Sequence, residues 1–184
     1  MEDAHLSQML PVHPPRNYPR ELEQWIELDD GTRVFVRPMI PDDVTRIAHA
    51  FEVADIETIR RRFFTGAPPT DRTHLEYLAN VDYEHRLALL AMDEQGDSVG
   101  VGRYEDIGDG VAEVAIVVEP SWRRLGVGSM LLRLLEEPAR TQGFTELLAL
   151  YLPSNRAVED LLLQLGYTDR TFEDDVVALR KPLP

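Results

Sequence analysis

The chain predicts an α+β fold: helices layered on a single mixed, mostly antiparallel sheet. Three observations lead there. Residues 87–118 hold three apolar runs, Leu87–Met92, Val99–Glu105 and Val111–Val118, joined by short polar turns that suit antiparallel neighbours. The third run is followed by an apolar-periodic helix and then another strand, so the sheet is read as mixed. Strands and helices then alternate to the C-terminus, and 184 residues without cysteine can bury one sizeable core.

The elements follow in order. Residues 1–27 read as a proline-containing N-terminal arm, loosest over 1–19, where Pro11, Pro14, Pro15 and Pro19 oppose regular structure. The folded domain is expected over 28–184. Thr32–Arg37 alternates with period two after the turn Asp29-Asp30-Gly31 and reads as the first strand. Pro41-Asp42-Asp43 opens a helix whose apolar stripe is Val44, Ile47, Ala48 and Phe51. Asp55 to Phe64 reads as a second helix, with Arg60-Arg61-Arg62 as its solvated face or as phosphate neighbours, and Thr70 to Asn80 as a third. After the three central strands comes a helix over Gly126–Gln142, with Pro138 predicting a kink or an early end. Thr145–Tyr151 is a strand, Asn155–Leu165 a helix closed by Gly166, and Tyr167–Phe172 and Val176–Leu179 are short final strands.

Composition narrows the function classes. Nineteen basic against 33 acidic residues leave a net charge of −14, which disfavours nucleic acid and anionic membrane surfaces as partners. No run approaches the roughly 18 apolar residues of a membrane span. The start, Met1-Glu2-Asp3-Ala4-His5, lacks a basic and apolar leader, so a cytoplasmic location is expected. The absence of cysteine removes thiolate nucleophiles and thiolate metal sites, and no metal is expected.

The most informative segment runs from Val111 to Ser129. An apolar strand leads through Glu119-Pro120-Ser121-Trp122 into Arg123-Arg124-Leu125-Gly126-Val127-Gly128-Ser129 and a helix. Glycines admit an anion close to the backbone, unpaired amides at a helix start attract it, and two arginines add cationic donors. A nucleotide P-loop does not fit, since no Lys-Ser/Thr follows the second glycine. A dinucleotide fingerprint does not fit either, since Leu131 stands where a third small residue belongs. Alone, the turn is equally compatible with a plain strand-to-helix connection.

Arg123-x-x-Gly126-x-Gly128 after that strand resembles the pyrophosphate loop of the GNAT superfamily of N-acetyltransferases. Asn155-Arg156-Ala157, leading a helix that ends Leu165-Gly166-Tyr167, resembles the family's second signature. Leu28–Pro38 and Ile56–Phe64 are similar to the bacterial Pat-type protein-lysine acetyltransferases, and the similarity runs from about Leu28 to Arg180. The resemblance implies the GNAT fold and acetyl-CoA as co-substrate. The pyrophosphate would lie on Arg123, Arg124, Leu125, Gly126, Val127, Gly128 and Ser129. The pantetheine would lie along the backbone of Ile116, Val117 and Val118, which should splay from the next strand, and beside Asn155. A backbone N–H near Val117 is expected to face the thioester oxygen. Asn155 also suits a helix cap.

Acetyl transfer to an amine needs the neutral nucleophile, while a lysine side chain titrates near 10.4. A placed carboxylate can take the proton during attack. Pat-type enzymes resemble this chain at Ala112-Glu113-Val114-Ala115 and place their general base at the matching glutamate, which implies Glu113. From spacing alone Glu113 is as well read as the solvent half of a strand; Glu105 is the second carboxylate in line. The tyrosine that many members use to protonate the leaving thiolate is replaced by Leu162, and no general acid is assigned. The expected activity is acetyl transfer from acetyl-CoA to an amine, foremost the lysine of a protein partner. The competing readings are a small-molecule amine or amino-acid acetyltransferase and a catalytically silent module that binds coenzyme A.

Overall fold

Period-two alternation through residues 98–118 builds the middle of an eight-stranded sheet. The computed structural model describes residues 9–53, 57, 60, 71–173 and 175–184. In chain order the strands are β1 (Gln24–Glu27), β2 (Arg33–Pro38), β3 (Arg86–Met92), β4 (Ser98–Asp106), β5 (Val111–Val118), β6 (Glu146–Tyr151), β7 (Asp169–Glu173) and β8 (Val176–Pro182). They lie side by side as β1-β2-β3-β4-β5-β6-β8-β7. Every pairing is antiparallel except β5 with β6. Four α-helices accompany the sheet among the described residues: α1 (Val44–Val53), α2 (Arg72–Ala79), α3 (Val127–Thr141) and α4 (Arg156–Gln164).

The parallel pair requires α3 as its crossover, and α3 crosses β3, β4 and β5. Its buried stripe is Val127, Met130, Leu131, Leu132, Leu135 and Ala139. Gly102 makes the close approach possible, since a Cβ there would stand 2.9 Å from Leu131 Cβ. The α+β architecture is thus the one expected. A second, smaller apolar cluster of Met9, Phe35, Leu90 and Met92 forms beside the main core.

The structure departs from the expectations in three places. Residues 24–27, assigned to the arm, are the edge strand β1, with Trp25 packed on Phe35 at 5.4 Å between ring centroids and Arg33 over the indole at 4.7 Å. Residues 9–19 are not loose either: Met9 and Tyr18 are buried, and the Met9 carbonyl accepts a 2.7 Å hydrogen bond from Arg37 Nε. Prolines bar regular pairing but not packing. Finally, of the kink or early end expected at Pro138, the early end does not occur: α3 continues to Thr141. Pro138 lies in the last turn, where only one helical bond is forfeited. The fully buried Leu135 and Ala139 hold that turn down, and Gln142 N–H still reaches the Pro138 carbonyl at 3.0 Å. The helix read over Asp55–Phe64 lies outside the described residues, apart from Glu57 and Arg60. The third helix begins at Arg72, capped by Asp71, whose Oδ1 accepts from His74 N–H at 2.9 Å.

One buried ion pair fixes the entry to α1. Arg37 donates through two nitrogens to Asp43 at 2.8 and 2.7 Å, and Asp43 also accepts from Ile40 N–H at 2.8 Å. Both side chains are 4% exposed. Removing one partner strands the other charge, a loss of about 3–5 kcal/mol. Asp43→Ala should lower the urea midpoint accordingly, and an unchanged midpoint would show that the pair carries no stability.

Candidate active site

The site begins where β5 loses a neighbour. Its parallel pairing with β6 runs from Val111–Glu146 to Val114–Ala149 and stops, although β5 continues to Val118 and β6 to Tyr151. Beyond Val114, β5 is held by β4 alone. The phase of that ladder is set at both ends: Ile107 N–H donates to Val111 O at 3.1 Å, and Glu119 N–H to Val99 O at 3.0 Å. Hydrogen-bonded pairs alternate in an antiparallel ladder, so Glu113, Ala115 and Val117 direct their backbone groups at β4. Ile116 and Val118 direct theirs into the opening. The expected splay is present, and of the amides near Val117 it is the neighbours' rather than its own that face the opening. Val117 N–H is committed to Val101, and the amides of Ile116 and Val118 are the ones that face the gap.

The opening is one end of a cleft of about 550 Å³. All the residues proposed from sequence line it except Leu125 and Val127. Val127 is buried in the core and Leu125 packs against it, so these two can offer only backbone. The cleft's far wall is the turn into α3. Arg124 has φ +66° and Gly126 φ +93°, which bends the chain so that α3 starts facing the cleft. Gly126 has open space where a Cβ would stand. A Cβ on Gly128 would stand 3.2 Å from Ile116 and 3.3 Å from Leu161, so this glycine lets β5, α3 and α4 converge. Met130 N–H to Gly126 O at 2.9 Å is the first helical bond, which leaves the amides of Val127, Gly128 and Ser129 without an acceptor inside the helix. Arg123 Nε donates to the outward carbonyl of Val118 at 3.2 Å, tying the turn to the open edge of β5. Arg124 is exposed beside it.

The near wall is α4. Asn155 stands at its N-cap, but its side chain makes no capping hydrogen bond, so of the two roles read from sequence the structure does not show the side-chain cap. Glu159, one turn on, is buried between Arg156 at 2.6 Å and Arg170 of β7 at 3.1 Å. The Arg156 hydrogen bond holds the Glu159 carboxyl below its ordinary value of 4.5. Burial and the adjacent Glu159 raise the Tyr151 hydroxyl. Leu162 lines the cleft as a buried apolar residue, as its identity implied. Sequence reading missed Trp122, Leu132, Ala149 and Tyr151, all of which line the cleft. Leu132 was within reach, because it lies one turn from Gly128 on the same helix face.

Glu113 lies half-buried at the inner end of the cleft, paired across the ladders with Glu105 of β4 and Leu148 of β6. Glu105 does not line the cleft. It accepts from the Tyr77 hydroxyl of α2 and stands 3.9 Å from Arg86. Of the two carboxylates, Glu113 is therefore the one positioned toward a ligand in the cleft.

A splayed strand, a glycine turn and a helix start sharing one cleft coincide with a known sequence pattern. That of the Acetyltransferase (GNAT) family matches residues 53–167. The chain belongs to this family. It is an acetyl-CoA-dependent N-acetyltransferase, similar to acetyltransferase PA5475 of Pseudomonas aeruginosa, with 30% identity over 84% of this chain and 86% of that one. It is 31% identical to acetyltransferase Pat of Mycolicibacterium smegmatis over 77% of its length, which spans 43% of that relative. Among solved structures, the GNAT domain of S. lividans PAT aligns at a TM-score of 0.83 with 32% identity, covering 91% of this chain and all of that domain. A GNAT phosphinothricin acetyltransferase from Sinorhizobium meliloti, solved with acetyl-CoA, shares the fold at a TM-score of 0.68 and 18% identity, over 82% of this chain and 88% of that one.

Two predictions follow from this geometry. Gly126→Asp places a side chain at positive φ and a negative charge at the helix start, so calorimetry should show acetyl-CoA affinity falling at least about tenfold. Unchanged affinity would remove the turn from the site. The depressed carboxyl of Glu159 stabilises the fold fully above pH 4.5, and this contribution is lost as pH falls through its lower folded value. Glu159→Gln should therefore weaken the fold near neutrality and flatten the acid limb of the stability curve. A parallel acid limb would contradict the assignment.

Proposed function

We propose that this enzyme acetylates the side-chain amine of lysine in a protein substrate, with Glu113 as general base for direct attack. The resemblance to Pat-type protein-lysine acetyltransferases supports the acceptor class, alongside 32% identity to the GNAT domain of S. lividans PAT over 91% of the chain. The position of Glu113 at the inner end of the cleft supports its role. Acetyl-CoA supplies an activated acetyl group as a thioester. Arg124 and the amides of Gly126 to Ser129 hold the diphosphate, while Ile116 and Val118 hold the pantetheine arm with their backbone, beside the Asn155 amide. One of the two outward amides of β5 donates to the thioester carbonyl oxygen. Glu113 takes a proton from the lysine ammonium, directly or through a water, and the amine so freed attacks the thioester carbon. No side chain is assigned to protonate the leaving sulfur, since a thiol titrates near 8.5 and leaves readily as thiolate. The reaction takes place in the cytoplasm.

Glu113→Gln should leave acetyl-CoA affinity intact and lower kcat about 10²–10⁴-fold at neutral pH. The deficit should narrow toward pH 10, where the amine deprotonates unaided. Equal activity at neutral pH would clear Glu113. Incubating a cell lysate with labelled acetyl-CoA and the enzyme should label protein lysines; label confined to small molecules would overturn the acceptor class.

A further inference from the structure

The cations of this chain are 18 arginines and a single lysine, Lys181. Nearly every positive charge that solvates or pairs the surface is therefore a guanidinium. A guanidinium keeps its proton under all working conditions and is no nucleophile, whereas an ammonium becomes one on losing a proton. The ion pairs follow the same choice: Asp43, Glu76, Glu105, Glu137, Glu146 and Glu159 are all met by arginine. The lone lysine is withheld. Lys181 on β8 is 19% exposed, its Nζ lies 2.6 Å from Glu136 of α3, and it sits over the Tyr167 ring at 5.8 Å from the centroid.

We propose that the chain is built to exclude itself as a substrate: arginine supplies its surface charge, and its one side-chain amine is sequestered by Glu136 and Tyr167. The inference rests on the protein-lysine reading. An enzyme that acts on exposed lysines meets other copies of itself constantly. Modification would form an amide at Nζ and break the thioester C–S bond, with coenzyme A leaving as thiolate and the ammonium protons passing to base. At Lys181 it would also remove the charge that ties β8 to α3. Glu136 therefore both blocks the reaction and keeps β8 tied to α3.

The purified full chain, incubated with labelled acetyl-CoA alongside a lysate, tests this by peptide mapping. Wild-type protein should remain unlabelled at Lys181 while lysate proteins are labelled. Glu136→Gln should raise labelling of Lys181 about fivefold. Arg72→Lys, at a side chain 90% exposed, and Arg133→Lys, on the exposed face of α3, should each acquire label at the new lysine. Labelling of Lys181 in the wild type at the Glu136→Gln rate would overturn the sequestration. New lysines that stay unlabelled beside a labelled lysate would overturn the role of arginine while sparing the proposed function. A lysate whose proteins stay unlabelled would remove both.

Discussion

The whole site depends on β5 having a partner on one side and not on the other. Four residues of parallel pairing with β6 anchor the strand, and past Val114 only β4 holds it. An unpaired buried amide is costly, so such an opening persists only where a ligand or water completes it. Strand phase then decides which groups are offered. Because Glu119 bonds Val99 and Ile107 bonds Val111, the outward positions are Ile116 and Val118, and a shift by one residue would present Val117 instead.

The helices are placed to exploit that opening. Gly102 lets α3 settle on the sheet, Gly128 lets the start of α3 meet Ile116 and Leu161, and the left-handed turn at Arg124 and Gly126 starts α3 beside the cleft with three amides that have no acceptor inside the helix. On the other wall, Glu159 pins α4 between Arg156 and Arg170. The cleft thus has an anion-binding end made of backbone and a reactive end that presents Glu113. This suits a ligand with a diphosphate at one extremity and a thioester at the other. The net charge of −14 makes the local arginines and helix amides more necessary, because the rest of the surface repels a phosphate.

Much of this was legible in the residues. The central strands, α3 and α4 were marked by their periodicity, and the turn at Arg123–Ser129 by its glycines and arginines. What was hidden had physical causes. β1 is four residues long and half exposed at a sheet edge, too short for alternation to register. Met9 and Tyr18 are buried by tertiary packing that proline content does not forecast. Pro138 was read by its local cost, while its place in the final turn, beside fully buried neighbours, made that cost bearable. The run Ile116–Val118 marks where an outward amide belongs, but ladder phase is a property of two strands, so which of its amides faces out cannot be read from one. Trp122 and Tyr151 reach the cleft by folding from elements that carry no local mark of it.

Amide hydrogen exchange resolved residue by residue, with and without coenzyme A, tests the central claim most directly. Ile116 and Val118 should exchange fast in the free protein and slow when the ligand is added, while Val117, bonded to Val101, stays protected in both states. Rapid exchange at Val117, or amides at 116 and 118 indifferent to the ligand, would contradict it.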